Sequence, residues 1–257
     1  MLKVRVIPTL LWKDFGLVKG VGFDSWRRVG AVLPSINVYN RREVDEMILV
    51  DIVASVENGH FDEDSLSDFA DACFVPLTTG GGVRNADDIR RLLRNGADKV
   101  SVNTAAYRSL DVIEQGAAEF GVQCIVASID ARRMDDNSHE CFSHAGTEPT
   151  GKEPAKWARQ LEQSGAGEIL LTSIDRDGTM QGYDLELVEK VAGAVSIPVI
   201  ASGGAGNYEH MCQAIKEAGA SAVAAASIFH FTEQTPLEAK RALGAAGIPV
   251  RMGLENV

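Results

Sequence analysis

Two glycine-rich turns in the sequence contain the residue types needed to bind anions. "TTGGGVRN" (residues 78–85) and "ASGGAGN" (residues 201–207) each place adjacent glycines after an apolar run and directly before a helical pattern. Glycine amides can approach a phosphate without hindrance from a Cβ atom, and the helix N-terminus that follows favours negative charge. The pair of turns predicts two anion sites, and hence a ligand with phosphate or a similar anion at both ends.

Polar residues after the next apolar run strengthen this prediction. The first turn is followed by Asn103–Thr104 and the second by Ala226–Ser227, in each case where a strand is expected to end. One run of glycines would be weak evidence, because glycines also allow a strand and a helix to pack closely. The same combination of turn and strand end, found twice, favours anion binding.

Two similar segments of the sequence differ in that only one of them contains a carboxylate. "CIVASIDARR" (residues 124–133) and "VIPTLLWKD" (residues 6–14) both run from apolar to polar residues, but the first contains Asp130 and the second contains Leu11 at the corresponding place. A carboxylate at a strand end can serve as a general acid or base. Leucine can neither hold nor pass a proton.

The elements that must position these residues are strands and helices in alternation. Short apolar runs without strict alternation are typical of parallel strands that are covered on both faces by helices. Asn85 is a predicted helix N-cap, and further helical patterns start at Asp184 and at Asn207. The count and the chain length predict an α/β fold, a (β/α)8 barrel, with a doubly wound open sheet as the competing fold. The runs are "VRVIPTLL", "MILVDIV", "CFVPLTTGG", "KVSVN", "QCIVASID", "EILLTSID", "IPVIASGG" and "SAVAAASIF".

An internal repeat favours the barrel. Residues 78–107 align with residues 200–230, so that Gly81–Gly82 corresponds to Gly203–Gly204 and Asn85 corresponds to Asn207. Four strand–helix units alone would leave open sheet edges, so two such halves are expected to close one barrel. We therefore predict a single domain over residues 1–257. The polar insertion at residues 132–151 is interpreted as a mobile loop over the barrel mouth.

Composition narrows the classes of partner and cofactor. The net charge of −11 argues against nucleic acid or an anionic membrane as the main partner. The four cysteines have no metal-ligand spacing, and the sequence enters a strand at its start, which predicts a soluble, reduced, cytoplasmic chain. Nothing in the residue pattern indicates a metal or a redox cofactor.

Four charged residues stand at the N-terminal ends of predicted strands. Charges at such positions are ordinarily solvated. Two of each sign that converge at one end of a barrel can instead form a neutralised ring, because unpaired buried charges are costly. The four are Arg5, Glu46, Lys99 and Glu168, on the first, second, fourth and sixth strands.

Longer motifs resemble the cyclase subunit of imidazole glycerol phosphate synthase over nearly the whole chain. They include "KDFGLVKGVGF", "GGGVRNADDIRRLLRNGADKVSVNTAA", "LLTSIDRDGTMQGYD" and "IPVIASGGAGN". In that family a separate glutaminase subunit makes ammonia, which crosses the barrel and reacts at the far mouth with a phosphorylated ribulosyl aminoimidazole nucleotide. The resemblance implies a glutaminase partner and a phosphorylated small-molecule ligand for this chain.

The resemblance also implies roles for individual residues. Asp130 would be catalytic, and Lys19 would reach the mouth from the first loop. The charged quartet would form an ammonia gate, with Asp98 and Gln123 on the glutaminase-docking face. One phosphate would bind at Gly82, Asn103 and Thr104, and the other at Asp177, Gly178, Gly204, Ala226 and Ser227.

The chain departs from the family at the first strand. The family has a cysteine at the position of Thr9 and a second catalytic aspartate at the position of Leu11. Asp14 belongs to the family's loop pattern in its own right and is not expected to replace it. "FDSWRRVGAVLPSINVYNRREVDE" keeps the family scaffold, but "RRVG" and "VYNRREVDEMI" resemble a divergent branch associated with surface-polysaccharide genes. Members of that branch pair with their own glutaminase and with a sugar amidotransferase. That branch implies ammonia delivery for converting an acetamido sugar to an acetamidino sugar.

Three functions follow from these observations. The preferred one is a barrel subunit that conducts ammonia, with a sugar amidotransferase as a further partner, and that is a poor histidine-pathway cyclase. The second is an authentic cyclase whose acid or base has shifted to Asp14 or to a water molecule held by Asp130. The third is a module without catalysis that activates its glutaminase by docking.

Overall fold

The computed structural model describes residues 3–14 and 16–252, in which strands and helices alternate. The strands are β1 (Arg5–Lys13), β2 (Gly16–Val21), β3 (Asp24–Gly30), β4 (Met47–Asp51), β5 (Leu77–Gly80), β6 (Lys99–Val102), β7 (Ile125–Arg133), β8 (His139–Ser143), β9 (Glu148–Pro149), β10 (Glu168–Ser173), β11 (Val199–Ser202) and β12 (Ala222–Ala225).

The helices follow the barrel strands and cover the outside of the sheet. They are α1 (Val32–Arg41), α2 (Glu63–Ala72), α3 (Ala86–Arg94), α4 (Thr104–Arg108), α5 (Asp111–Phe120), α6 (Pro154–Gln163), α7 (Leu185–Ala192), α8 (Tyr208–Lys216), α9 (Ser227–Phe231) and α10 (Pro236–Ala245). A 3-10 turn, Val122–Cys124, leads into β7. Among the residues described, no helix has the length and apolar character needed to cross a bilayer.

Eight of the strands form a closed parallel barrel. Their order is β1, β4, β5, β6, β7, β10, β11 and β12, and β12 pairs with β1 to complete the ring. All eight predicted apolar runs are barrel strands, so the (β/α)8 prediction is confirmed. The open-sheet alternative is wrong, because β7 pairs directly with β10 and the barrel strands leave no free edge.

Side chains along each strand alternate between two separate cores, as the period of a strand requires. Outward residues such as Val6 and Leu10 pack under the helices in the larger core. Inward residues fill the barrel interior, and this smaller cluster consists of Ile7, Ile48, Val126, Leu170, Ile200, Ala222 and Ala224.

The two halves of the barrel share local geometry as well as sequence. Asn85 (φ −154°, ψ 176°) and Asn207 (φ −156°, ψ 174°) cap α3 and α8 in almost the same conformation. Each side chain accepts from the backbone N–H three residues on, at 3.0 and 2.9 Å. Asp184 caps α7 in the same manner. The predicted N-cap Asn85 is confirmed, as are the predicted helix starts at Asp184 and Asn207. The matched halves explain why both turns present the same backbone to the barrel mouth.

Two antiparallel hairpins extend from the barrel rim, and the sequence did not predict either. β2 and β3 continue from β1, with Leu11 opposite Val18 in the first pairing. β8 and β9 continue from β7, so that Asp130 lies opposite Phe142. The prediction of a loop over residues 132–151 is therefore wrong for β8 and β9, where backbone hydrogen bonds form a strand ladder. The mobility of this segment over the barrel mouth stays a prediction.

Candidate active site at the barrel mouth

A cavity of about 150 Å³ opens at the C-terminal ends of the barrel strands. Chain segments far apart in sequence meet there, because parallel strands all end at the same rim. Each residue predicted for phosphate binding or catalysis lies in its lining: Lys19, Gly82, Asn103, Thr104, Asp130, Asp177, Gly178, Gly204, Ala226 and Ser227.

The first glycine turn forms one side of the cavity. Gly81 (φ 112°) and Gly82 (φ 70°) are in the left-handed region, and a Cβ atom on Gly82 would lie 2.5 Å from the carbonyl oxygen of Gly59. Across from the turn, Asn103 precedes α4, and its buried Oδ1 atom has no hydrogen-bond partner. Buried polar atoms are ordinarily satisfied, so this atom indicates a ligand or water in the cavity.

The second turn repeats this arrangement on the other side. Gly203 (φ 89°) and Gly204 (φ 106°) are again left-handed. Ser227 begins α9 and is 4% exposed, yet its Oγ atom has no partner. The cavity therefore has two glycine cradles, each next to an unsatisfied polar side-chain atom.

Lys19 reaches the cavity from β2, inside the first hairpin. Its Nζ atom donates to both oxygens of Asp177, at 2.6 and 2.8 Å, and Lys19 itself is 2% exposed. Burial raises the pKa of Asp177, while the charge and hydrogen bonds of Lys19 oppose that shift. The pair places a compensated cation beside the second cradle, where a phosphate would compete with the Asp177 carboxylate for Lys19.

Asp130 is a buried carboxylate whose pKa lies near neutral pH. Burial, followed by the nearby charge of Asp177, raises its pKa to about 7, against the opposing hydrogen bond from Asn103. The Asn103 amide donates to Oδ2 of Asp130 at 2.7 Å and fixes its orientation. A group with a pKa near the ambient pH can both donate and accept a proton efficiently.

The position opposite Asp130 is apolar. Leu11 lines the cavity from β1, and below it the hydroxyl of Thr9 is buried without a hydrogen-bond partner. Asp14 is exposed at the turn after β1 and is absent from the cavity lining among the residues described. This position gives no support to the hypothesis that Asp14 takes over the missing role, which stays a prediction.

Asp51, at the end of β4, is a mouth carboxylate that the sequence analysis missed. Its Oδ1 atom accepts from the backbone N–H groups of Val53 and Ala54, both at 2.9 Å. Burial raises its pKa, and these two hydrogen bonds oppose the shift. The available signal was its place at a strand end in "MILVD", the same kind of position that identified Asp130.

The opposite end of the barrel is closed by a ring of four charges. Arg5 donates to Glu46 at 2.7 Å and to Glu168 at 2.5 Å. Lys99 donates to Glu46 at 2.9 Å and to Glu168 at 2.9 Å. The structure therefore brings together the four residues that the sequence placed at strand starts, and each cation bridges both carboxylates.

The ring is largely buried. Glu46 is 2% exposed, and its Oε1 atom also accepts from the Thr78 hydroxyl at 2.9 Å. Burial alone would raise the pKa of Glu168, but the hydrogen bonds and charges of Arg5 and Lys99 overcome it, and its pKa is lowered. The Glu168 carboxylate is thus held ionised although it is largely out of solvent.

Asp98 and Gln123 lie around this ring on the exposed base. Asp98 precedes β6, and its Oδ2 atom accepts from the N–H of Leu77 at 2.8 Å. Gln123 is exposed in the turn before β7. Both therefore lie at the N-terminal end of the barrel, away from the mouth. Within residues 3–14 and 16–252, no group of histidine, cysteine and acidic side chains is placed to hold a metal ion.

Comparison with known proteins agrees with this geometry. The sequence profile of the histidine biosynthesis protein family matches residues 5–235. Imidazole glycerol phosphate synthase subunit HisF of Caulobacter vibrioides strain NA1000 / CB15N is 50% identical over 253 residues, which cover 98% of this chain and 97% of the relative. The same subunit of strain ATCC 19089 / CIP 103742 / CB 15 is similar to the same extent, 50% over 253 residues. The chain belongs to the histidine biosynthesis protein family.

Proposed function

We propose that this chain is the barrel subunit of a glutamine-dependent complex. A glutaminase subunit docks on the base, and ammonia passes through the charged ring and the barrel interior to the mouth. The relatives from Caulobacter vibrioides are named as subunits of imidazole glycerol phosphate synthase, which supports membership of a complex. The charged ring at the base is the single observation that carries the proposal.

A structural role alone accounts poorly for the ring. Buried ion pairs are weak stabilisers, because the cost of removing charges from water offsets their attraction. A gate that controls the entry of ammonia explains better why four bridged charges stand at the entrance to an interior with an apolar central cluster. Ile7, Ile48 and Leu170 line that interior, so neutral ammonia can enter where an ammonium ion would be strongly disfavoured.

At the mouth, the proposal assigns the two cradles to a phosphorylated ligand. The first comprises Gly82, Asn103 and Thr104. Its glycine is left-handed, and Asn103 has an orphaned Oδ1 atom. The second comprises Asp177, Gly178, Gly204, Ala226 and Ser227, with Lys19 alongside. Asp130 is the group that moves protons between them.

Leu11 makes this chain a poor cyclase in the same proposal. Ring opening and closure need one group that gives a proton and one that takes it, and the mouth has a leucine opposite Asp130. Ammonia passage does not need that second carboxylate. We therefore infer that the ammonia is delivered to a sugar amidotransferase for amidination of a surface-polysaccharide sugar.

An authentic cyclase of histidine biosynthesis is the second candidate, favoured by the 50% identity over 253 residues. In that case Asp130, with its pKa near 7, would donate and accept protons with help from a bound water molecule. The retained cradles and ring are compatible with either candidate.

Turnover of the two acceptors by the purified complex separates the candidates. The chain and its glutaminase are assayed with glutamine and the ribulosyl aminoimidazole nucleotide of histidine biosynthesis, and separately with the sugar amidotransferase and its acetamido sugar. The proposal predicts amidination of the sugar and nucleotide turnover at least about a hundredfold below ordinary enzymatic rates. Nucleotide turnover at ordinary rates would instead establish the cyclase. Stimulated glutamine hydrolysis without transfer to either acceptor would leave only an activating module.

A further inference from the structure

A second cavity, of about 350 Å³, lies beside the mouth. Gly82, Val83 and Thr104 line both this side cavity and the mouth cavity. The side cavity therefore begins where the first glycine cradle ends. Neither ammonia passage nor two terminal phosphates would require it.

The described lining of the side cavity is cationic. Arg84 and Arg108 contribute two guanidinium groups to it, against Asp111 as its acidic residue. The chain as a whole has a net charge of −11, so the average composition does not account for a local excess of arginine over acidic side chains. Guanidinium groups suit phosphate oxygens because they present paired donors in a planar fork.

These side chains are held in place by the surrounding fold. The Nη2 atom of Arg84 donates to the carbonyl of Gly59 at 2.8 Å. The ring of His144 lies 3.0 Å from a carboxylate oxygen of Glu148 and 3.4 Å from Arg108. The backbone N–H of His144 donates to the Thr104 hydroxyl at 3.1 Å, which ties the second hairpin to the first cradle. Arginine side chains fixed in this way lose less side-chain entropy when they bind an anion.

We propose that the side cavity binds a second anionic group joined directly to the one in the first cradle, so that the ligand class is a diphosphate ester. Thr104 belongs to both cavities and marks the point where the two phosphates would meet. This inference rests on the proposed function, which places the first phosphate at Gly82, Asn103 and Thr104.

Calorimetric titration of the full-length chain with inorganic orthophosphate and with inorganic pyrophosphate tests the proposal. We expect pyrophosphate to bind at least about tenfold more tightly than orthophosphate, because a second set of charge-assisted hydrogen bonds becomes available. Arg108→Gln should remove most of this advantage and leave orthophosphate binding within about twofold, since Arg108 lies outside the mouth cavity. Arg94→Gln, an exposed arginine on α3, is the matched control.

The outcomes separate this inference from the proposed function. Equal affinities for the two anions would contradict anion binding in the side cavity. So would a pyrophosphate advantage that survives both Arg108→Gln and Arg84→Gln. Neither result would contradict phosphate binding at the mouth cradles. If neither anion binds, both the side-cavity site and the mouth cradles are overturned. Ammonia transfer from the glutaminase is measured independently and can fail while the preference for pyrophosphate holds. Arg108→Lys keeps the charge without the planar fork and should retain part of the advantage, and thermal melting confirms that each variant folds.

Discussion

Leu11 and Asp130 face each other across the barrel mouth. Leu11 lies on β1 and Asp130 on β7, which stand four places apart in the ring of eight barrel strands, and both side chains line the same cavity. A proton donor and a proton acceptor on opposite sides of a ligand would occupy these two positions. The structure thus has a buried carboxylate on one side of the mouth and an apolar side chain on the other.

Leu11→Asp should restore this pair. We expect the complex with glutaminase to gain at least about tenfold in turnover of the histidine-pathway nucleotide, which is the lower range of general acid–base contributions. Steady-state kinetics with glutamine measures the change. Leu11→Asn is the control, because an amide of the same size cannot transfer a proton at neutral pH. Equal gains from both variants, or no gain from a folded Leu11→Asp complex, would contradict this account of the mouth.

Asp130→Asn should stabilise the chain in a manner that depends on pH. The pKa of Asp130 is raised to about 7, so the folded chain retains a proton that the unfolded chain releases above about pH 4. The contribution of Asp130 to the free energy of unfolding therefore falls as the pH rises from about 4 to 7. Removing the charge should raise the free energy of unfolding by about 2–4 kcal/mol at pH 8 and by little at pH 4.

Urea denaturation at the two pH values measures this difference. Asp71→Asn, an exposed position on α2, is the control and should change the free energy of unfolding little at either pH. A gain of the same size at pH 4 and pH 8 would show that Asp130 is not forced to ionise at a cost.

The barrel was predictable because its determinants are local. Buried parallel strands are short apolar runs, and the N-caps Asn85 and Asn207 satisfy helix N–H groups three residues away, so both are visible in a short window of sequence. The cradles were equally visible, since left-handed glycines such as Gly82 and Gly204 mark the turns. Asn103–Thr104 and Ala226–Ser227, at the end of the strand that follows each turn, could be identified by aligning the two halves of the sequence.

The remaining features depend on contacts between distant segments. The hairpin of β2 and β3 contains glycines and charges that obscure strand alternation, and pairing with β1 is what forms it. The place of Asp51 in the mouth cavity and the unpaired, buried hydroxyl of Thr9 become evident only when neighbouring strands define an interior. The side cavity joins Arg84 on one loop to His144 on a hairpin, a proximity that no spacing in the sequence indicates.

Glu46→Gln should destabilise the ring at the base. Arg5, Lys99 and the Thr78 hydroxyl all donate to Glu46, so loss of its charge leaves two cations to share Glu168. We expect a loss of about 2 kcal/mol in the free energy of unfolding, at the low end for a buried pair because Arg5 and Lys99 are partly exposed. Denaturant titration at neutral pH measures it.

The double variant Glu46→Gln/Lys99→Met provides the internal check. It removes one charge of each sign, so its loss should be smaller than the sum of the two single losses by about 1 kcal/mol. Lys190→Met, which breaks an exposed pair with Glu186, should cost at most about 0.5 kcal/mol. Strict additivity at the base would mean that the four charges do not act as one ring.

Ser227→Ala should weaken anion binding without loss of stability. The Ser227 hydroxyl is buried and has no hydrogen-bond partner, so its removal does not cost the folded chain a hydrogen bond. The same substitution removes a hydrogen-bond donor that a bound phosphate would use. We expect binding of inorganic phosphate to weaken about fivefold and the free energy of unfolding to be unchanged or slightly higher. Calorimetric titration and denaturation are compared with Ser67→Ala on the exposed face of α2. Unchanged phosphate affinity would remove Ser227 from the second cradle.

An isotope competition tests ammonia passage most directly. The complex of this chain with its glutaminase receives amide-labelled [15N]glutamine in the presence of excess unlabelled ammonium, and the label is measured in the aminated product, whether nucleotide or sugar. Passage through the barrel predicts a product that is largely 15N in the wild type and increasingly unlabelled in Lys99→Met, with glutamine hydrolysis still stimulated. A wild-type product that matches the isotopic ratio of the bulk solution would show that ammonia equilibrates outside the protein, and the conduit would be refuted.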